Sequence, residues 1–197
     1  MIDKEKCLGI LAKYRTDEVM VASMGVTVPW SKFSDHRLDY ASVGSAMGHT
    51  ADFALGIALA QPNRKVLALN GDGSMLMCLG TLATIAGLEK PARNFYLFVC
   101  HNGTYEVTGN QHIPGRSGFS FSAIAKGVGL EKVYDFNTAE SLDASLPVIL
   151  KEDGPTLITL EMTPANEPPP HRSPNHPVRY LTATLAESTH ELKDALV

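Results

Sequence analysis

The sequence predicts an α/β fold: a single domain built on a doubly wound parallel sheet flanked by helices. Three observations predict it. Short apolar runs of strand length recur along the chain, segments with the 3.6-residue period of a helix separate them, and the runs are almost continuously apolar instead of alternating. Strands of that composition are covered on both faces. Regular alternation of strand and helix is typical of a parallel sheet with helices on both sides.

The predicted elements alternate along most of the chain. Apolar runs predict strands over residues 19–23, 66–70, 95–100, 133–136 and 156–162. Helical periodicity predicts helices over residues 4–15, 49–60, 74–88, 119–129 and 139–151. The methionine-rich run at residues 75–79 is interpreted as the buried face of one helix. The chain has 197 residues, 44% of them apolar, which is enough for one substantial core. We therefore expect one domain over residues 1–163.

The C-terminal segment has a different composition. Residues 164–177, PANEPPPHRSPNHP, are too rich in proline for a helix interior or an inner strand. Residues 164–197 are therefore predicted to form an extended arm that ends in a short helix near residues 185–195. Basic side chains in the arm could meet an anionic substrate or clamp a neighbouring subunit, although a solvated tail is the commoner state of a terminal segment. These side chains are His171, Arg172, His176 and Arg179.

Composition argues against several classes of function. The formal net charge is −4, and the lysines and arginines are scattered, which argues against a nucleic-acid-binding surface. No apolar run approaches the roughly 18 to 20 residues of a membrane span, and the start MIDKEKC lacks the pattern of a signal peptide, so we expect a cytoplasmic protein. Cys7, Cys78 and Cys100 are odd in number and widely spaced, so we expect reduced thiols, the last two of them buried.

Glycines and polar residues follow three of the predicted strands. Ligands of a doubly wound sheet bind outside the carboxyl ends of its strands. The candidate ligand-binding loops are therefore residues 23–25, 70–74 and 101–104. In NGDGS, at residues 70–74, the glycines allow a sharp turn and close approach of a ligand. Ser74 is expected to start the next helix, whose free N–H groups suit a phosphate.

Two of these loops together predict a magnesium site. The Asp72 carboxylate beside a phosphate would be a suitable ligand for Mg²⁺, which usually binds one or two carboxylates together with phosphate oxygens and water. The neighbouring strand tip adds the side-chain oxygen of Asn102 and a backbone carbonyl such as that of Thr104. Asp-Gly or Asn-Gly alone is more often only a turn. Two adjacent tips, however, can complete one octahedral site.

The combined pattern resembles the diphosphate- and magnesium-binding motif of thiamine diphosphate enzymes. The likeness rests on Gly71-Asp72-Gly73, on the 30-residue interval from Asp72 to Asn102, on VGSAMGH at residues 43–49 and on NGTYEVTGNQ at residues 102–111. It extends over roughly residues 18–162. Within the family the sequence is most similar to the cofactor-binding part of sulfopyruvate and phosphonopyruvate decarboxylases.

The resemblance implies a C-terminal, diphosphate-binding domain with thiamine diphosphate and Mg²⁺ as cofactors. Met47 would bend the cofactor into its reactive V shape, and a carbonyl of Gly44 or Ser45 would accept a hydrogen bond from its 4′-amino group. The metal ligands would be Asp72, Asn102 and Thr104. The full set of implied cofactor-binding residues is Ser23, Gly25, Gly44, Ser45, Met47, Gly71, Asp72, Gly73, Ser74, Asn102 and Thr104.

Three further residues near the second loop are assigned roles in this interpretation. His101 replaces the first of two asparagines usual in the family, and it is expected to pack or hydrogen-bond behind the loop. Glu106 is a candidate proton carrier, or alternatively an ordinary helix-start carboxylate. Gln111 follows Thr108 and Asn110 on a segment that runs beside the reacting carbon in related decarboxylases. Glu106 and Gln111 are thus the candidate catalytic residues.

The resemblance also implies a partner. These enzymes need a glutamate from a second, similarly folded domain, for which a chain of this length has no room, so we expect a partner subunit to supply it. The predicted function is the thiamine diphosphate- and Mg²⁺-binding subunit of a two-subunit 2-oxoacid decarboxylase acting on a small 2-oxoacid. A carboligase or an acyl-transfer subunit would use the same cofactor. A non-catalytic phosphate- or nucleotide-binding regulatory subunit is the alternative from another class, although it would not need the Met47 segment.

Overall fold

A computed structural model describes residues 1–115 and 118–197 of the chain. Within these residues the strands are β1 (Val19–Ser23), β2 (Asp39–Ser42), β3 (Val66–Gly71), β4 (Phe95–His101), β5 (Thr104–Tyr105), β6 (Gln111–His112), β7 (Lys132–Phe136) and β8 (Thr156–Glu161). The α-helices are α1 (Lys4–Tyr14), α2 (Met24–Ser31), α3 (Thr50–Ala60), α4 (Asp72–Met77), α5 (Thr81–Ala86), α6 (Phe121–Gly127), α7 (Ala139–Ile149) and α8 (Leu185–Leu196). No helix in the described ranges combines the length and apolar character that a bilayer span requires.

The main sheet is parallel, and it is doubly wound. Six strands of the described chain pair in the order β2-β1-β3-β4-β8-β7. After β1 the chain moves to one edge of the sheet, and after β3 it moves towards the other, so the loops at the ends of these two adjacent strands diverge. A crevice forms at such a switch point, outside the carboxyl ends of the strands. The predicted fold class is confirmed.

Apolar side chains cover both faces of the sheet. Along β4 the buried residues alternate between two cores, with Tyr96 and Phe98 on one face and Phe95 and Leu97 on the other. Helices α1, α2 and α7 cover the first face, and α3, α5 and α6 cover the second. Each large apolar side chain contributes about 1.5–3 kcal/mol by leaving water. The continuous apolar runs of the sequence therefore correspond to strands buried on both faces, as expected.

Several elements differ from the sequence-based expectation. The predicted helix over residues 74–88 is two helices, α4 and α5, separated by Cys78–Gly80. Helix α4 begins at Asp72, with the extended residue Gly71 as its N-cap, so the prediction that Ser74 starts the helix was wrong. Strand β2, helix α2 and the β5–β6 hairpin were not predicted. Helix α2 contains Pro29 and β2 has only four residues, so neither shows a clear period.

The cysteines are free thiols, as expected, but their burial differs from the prediction. Cys7 and Cys100 are buried, and Cys78 is only half-buried because it lies at the exposed end of α4. The expectation that Cys78 is buried was therefore wrong. Burial raises the pKa of the Cys100 thiol to about 12. That thiol is therefore protonated and unreactive at neutral pH.

The proline-rich arm packs against the domain instead of forming a solvated tail. Arg172 anchors it by donating hydrogen bonds to the carbonyls of Ala41 (2.7 Å) and Val43 (2.8 Å), at and just beyond β2. The same guanidinium also donates hydrogen bonds to the carbonyls of Tyr180 and Ala183 and to the Ser188 hydroxyl. The Arg172 side chain thus binds groups of its own chain, not a substrate or a neighbouring subunit.

We expect Arg172→Ala to lower the free energy of unfolding by about 2–4 kcal/mol, because several carbonyls lose a charged donor at once. Urea denaturation measures this change. Arg179→Ala is the matched control, since the Arg179 side chain is 57% exposed and contacts Asp35 at 3.8 Å. The control should change stability by less than about 0.5 kcal/mol. Equal effects of the two substitutions would mean that Arg172 does not anchor the arm.

Candidate functional site

A cavity of about 200 Å³ lies at the carboxyl ends of β1, β3 and β4. It is lined by many of the residues that the sequence analysis singled out: Ser23, Gly25, Ser45, Met47, Gly71, Asp72, Gly73, Ser74, Asn102, Thr104 and Glu106. Gly44 and Gln111 are not among the described residues that line it. The fold therefore brings the loops after three adjacent strands, and the segment before α3, around one cavity.

Asp72 links two of these loops. Its carboxylate accepts a hydrogen bond from its neighbour Gly73 N (2.7 Å) and another from Gly103 N (2.7 Å), across the gap between the β3 and β4 tips. The side chain is only 3% exposed. Burial raises the pKa of Asp72, and the N–H donors of Gly103 and Gly73 oppose that rise. A divalent cation beside this carboxylate would relieve the cost of burying its charge.

Asn102 presents an oriented amide at the tip of β4. Its Oδ1 accepts from Thr104 N at 3.0 Å, and its Nδ2 donates to Glu106 Oε2 at 2.8 Å. Gly103 adopts φ +77, a left-handed conformation that glycine tolerates without strain, and this turns the chain sharply between Asn102 and Thr104. The loops that carry the Asp72 carboxylate and the Asn102 amide are therefore joined through Gly103, and Mg²⁺ accepts oxygen ligands of both kinds.

Close packing at the β3 tip requires glycine. A Cβ on Gly73 would lie 2.4 Å from a ring carbon of Tyr105, which is far inside van der Waals contact. Gly71 N donates to the Ser23 hydroxyl at 2.9 Å, which ties the β1 and β3 tips together. The backbone at Gly71 and Gly73 therefore forms part of the cavity lining, which we call the glycine wall. A polyanion such as a diphosphate can approach a wall of this kind closely.

The segment before α3 supplies an apolar wall. Met47 is 65% exposed although it is a large apolar side chain, and Met77 beside the cavity is 49% exposed. Gly48 has φ +90, and a Cβ there would lie 2.8 Å from the Met77 side chain. The prediction that the methionine-rich run is helix core holds for Met75, which is buried, and was wrong for Met77. The two exposed methionines make the cavity mouth apolar.

His101 lies behind the Asp72 loop. Its Nδ1 is 2.8 Å from Glu161 Oε1, its Nε2 is 4.0 Å from Asp72 Oδ2, and its ring meets Phe121 edge-on. The hydrogen bond to Glu161 raises the pKa of His101. The expected hydrogen bond behind the loop is therefore present.

Glu106 and Gln111 occupy contrasting environments. Glu106 begins a 3-10 turn, and its side chain is only 5% exposed, 2.6 Å from the ammonium of Lys4. Gln111 lies exposed on β6, where Thr108 donates to its oxygen (3.0 Å) and accepts from its amide (2.8 Å, through the Thr108 carbonyl).

Sequence reasoning missed Lys4, whose side chain lines the cavity. The available signal was its position on the buried face of α1, one turn before Cys7 and Leu8. A lysine on an apolar face indicates a buried partner.

A second group of potential metal ligands lies beside the cavity. In the described part of the chain, ligand atoms of His49, Asp52 and Cys78 all fall within 4.8 Å of one another. His49 Nδ1 is 2.6 Å from Asp52 Oδ2, and Thr81 donates to the other oxygen of that carboxylate. Both oxygens of the Asp52 carboxylate therefore already have hydrogen-bond partners, His49 at the start of α3 and Thr81 in α5.

Known proteins share both the sequence pattern and the fold. The family model described as "Thiamine pyrophosphate enzyme, C-terminal TPP binding domain" matches residues 21–160; thiamine pyrophosphate is another name for thiamine diphosphate. Sulfopyruvate decarboxylase subunit beta of Methanococcus maripaludis is 33% identical over 171 residues, which are 86% of this chain and 89% of that protein.

A larger relative and a solved structure complete the comparison. Phosphonopyruvate decarboxylase of Streptomyces viridochromogenes is 34% identical over 157 residues, which are 80% of this chain and 38% of that protein. The solved 4-hydroxybenzoylformate decarboxylase of Rhodococcus jostii RHA1 matches with a TM-score of 0.69 and 22% identity, over 84% of this chain and 33% of that one. This last likeness concerns the fold.

Proposed function

Because this chain belongs to the family of thiamine pyrophosphate enzymes, as their C-terminal cofactor-binding domain, we propose that it is the cofactor-binding subunit of a two-subunit 2-oxoacid decarboxylase. The observation that carries the proposal is the bridge between the two loops: Asp72 Oδ2 accepts from Gly103 N at 2.7 Å, beside the Asn102 amide. This bridge supports the proposal because Asp72 and Asn102, 30 positions apart in the sequence, then lie at the same edge of the sheet, and both carry oxygen atoms that Mg²⁺ accepts.

Mg²⁺ would be held by the side-chain oxygens of Asp72 and Asn102 and by the backbone carbonyl of Thr104. The donor set is entirely oxygen, which fits this ion, and the Asp72 side chain is only 3% exposed. The diphosphate would lie against the glycine wall and the pyrimidine against the apolar one. The residues proposed for these contacts are Ser23, Gly25, Gly71, Gly73 and Ser74 for the diphosphate, and Gly44, Ser45 and Met47 for the pyrimidine.

In the proposed reaction, bound thiamine diphosphate supplies an electron sink for the loss of carbon dioxide from a small 2-oxoacid. The residues of this chain bind and orient it. Met47 would support the cofactor from the cavity wall, and Asp72 and Asn102 would hold the Mg²⁺ that neutralises its diphosphate. Gln111 is proposed as a substrate contact because Thr108, which lines the cavity, holds its side chain.

A partner subunit completes the proposal. The relative from Methanococcus maripaludis is named a subunit, and this chain matches 89% of it, whereas the chain matches only 38% of the phosphonopyruvate decarboxylase. We propose that a second chain carries the pyrimidine-binding domain and the activating glutamate, and that it meets the exposed methionines Met47 and Met77. The free thiols of the chain suit a reducing compartment, which supports the cytoplasm as its location.

Thiamine diphosphate should bind this chain in the presence of Mg²⁺. Its affinity should fall about 100-fold once EDTA removes the metal. The loss corresponds to about 3 kcal/mol, which is the size of one or two charge-assisted contacts. Isothermal titration calorimetry measures both affinities, with thiamine, which lacks the diphosphate, as the control ligand. Equal affinity with and without Mg²⁺, or equal affinity for thiamine, would contradict the proposed site.

A further inference from the structure

Lys4 and Glu106 form a buried ion pair at the wall of the cavity. Lys4 Nζ lies 2.6 Å from Glu106 Oε2, and the two side chains are 6% and 5% exposed. The residues are 102 positions apart, so the pair joins the first turn of α1 to the turn after β5. An ion pair this deeply buried has lost most of the hydration of both charges.

The Glu106 carboxylate is fully engaged by hydrogen bonds. Its Oε2 accepts from Lys4 and also from Asn102 Nδ2, at 2.8 Å, and its Oε1 accepts from Glu167 N at 3.3 Å. Lys4 in turn donates to the carbonyl of Gly25 at 3.3 Å. Five segments therefore meet at this pair: α1, the start of α2, the β4 tip, the turn after β5 and the arm.

The contact with Glu106 fixes the orientation of the Asn102 amide. An ionised carboxylate only accepts hydrogen bonds, so it selects the NH₂ end of the amide and excludes the oxygen end. The oxygen end must then point away from Glu106, to the side where Thr104 N donates to it. Without Glu106 the amide would be held only by the Thr104 N–H and hydroxyl, which donate to its oxygen, so its rotation would be less restricted.

Stability alone is a weak explanation for this arrangement. Desolvation of two charges can exceed their attraction, and replacing a buried ion pair with apolar side chains is often neutral for stability. The geometry offers a more specific function, because one oxygen of the pair also holds a proposed metal ligand. A partner of this kind behind a ligand typically alters metal affinity about 10–100-fold.

We propose that Glu106, held in place by Lys4, is a positioning residue that keeps Asn102 Oδ1 directed towards the magnesium site. The inference rests on the proposed function, since it assumes that Asn102 is a metal ligand. It replaces the proton-carrying role expected for Glu106 from the sequence, because both carboxylate oxygens are occupied inside the chain.

Two double variants of the full chain separate positioning from stability. Lys4→Met/Glu106→Gln removes the charges but keeps an amide oxygen that can accept from Asn102 Nδ2. Lys4→Met/Glu106→Leu removes the same charges and also that acceptor. Both variants lose the Lys4 contacts equally, so they differ chiefly in what holds the Asn102 amide. Mn²⁺ serves as the probe, titrated in the presence of thiamine diphosphate and followed by electron paramagnetic resonance of the free ion.

The leucine variant should bind Mn²⁺ about 10–100-fold more weakly than the glutamine variant, which should remain within about threefold of wild type. Urea denaturation without ligands checks that the two variants unfold at similar midpoints. Equal Mn²⁺ affinities of the two folded variants and wild type would overturn the positioning role. Absence of metal-dependent cofactor binding in the wild-type chain would instead overturn the proposed function, and this inference with it.

Discussion

Asp72→Asn should weaken Mg²⁺-dependent binding of thiamine diphosphate by about 100-fold or more. The substitution keeps the shape of the side chain and removes its negative charge from a site that is almost completely buried. Breaking a buried charge pair typically costs about 3–5 kcal/mol, and each 1.4 kcal/mol corresponds to a factor of ten in affinity. The neutral amide would also place an NH₂ group against the N–H of Gly73 or Gly103, which both donate to this carboxylate in the wild type.

Calorimetry of thiamine diphosphate with Mg²⁺ tests this result in wild type and variant. Asp143→Asn is the matched control, because Asp143 is 40% exposed and pairs with Lys13 at 2.8 Å on the surface. Urea denaturation of Asp72→Asn shows how much of the effect is lost stability, which should be about 1–3 kcal/mol for the disturbed hydrogen bond. Wild-type affinity in a folded Asp72→Asn variant would eliminate Asp72 as a metal ligand.

The proximity of Asp72 and Asn102 could be predicted from the sequence because it follows from local rules. Strands β3 and β4 are parallel neighbours paired in register, with Gly71 opposite Cys100. The residues just after these two positions must therefore lie close together at the same edge of the sheet. Continuous apolar runs marked both strands, and glycines marked both turns. No knowledge of distant contacts was needed.

The environment of Glu106 could not be predicted in this way. Its charge partner, Lys4, lies 102 residues earlier, and the two meet only because α1 packs beside α2 and α7. The same limit applies to Arg172, whose contacts with Ala41 and Val43 depend on how the arm folds back. Each of these contacts depends on tertiary packing, which leaves only a weak trace in the local sequence.

The short elements escaped prediction for a different reason. Strand β2 has four residues, and the β5–β6 hairpin has two residues in each strand, so neither is long enough to show a period. Helix α2 begins directly after β1, at Met24, and contains Pro29. The chain leaves the strand and enters the helix without a polar turn that would mark the boundary. Helix α4 also begins directly after its strand, at Asp72, so the Gly-Asp-Gly stretch interpreted as a turn contains the helix start.

The chain alone should decarboxylate 2-oxoacids about 10²–10⁴-fold more slowly than the complex with its partner subunit. That range is the typical contribution of a positioned acid–base group, here the glutamate proposed for the partner. The described site is consistent with such a division. It brings together the proposed oxygen ligands, a glycine wall and an apolar mouth, while its buried glutamate, Glu106, is already engaged by Lys4 and Asn102.

Release of carbon dioxide from sulfopyruvate and from phosphonopyruvate tests the proposed two-subunit decarboxylase most directly. The measurement is made with saturating thiamine diphosphate and Mg²⁺ on this chain, on a partner chain that carries the pyrimidine-binding domain, and on the two together, with Asp72→Asn as the inactive control. We expect rapid release of carbon dioxide from one of the substrates only when both chains are present and Asp72 is intact. Full-rate release by this chain alone, or by the partner with the Asp72→Asn variant, would contradict the proposal.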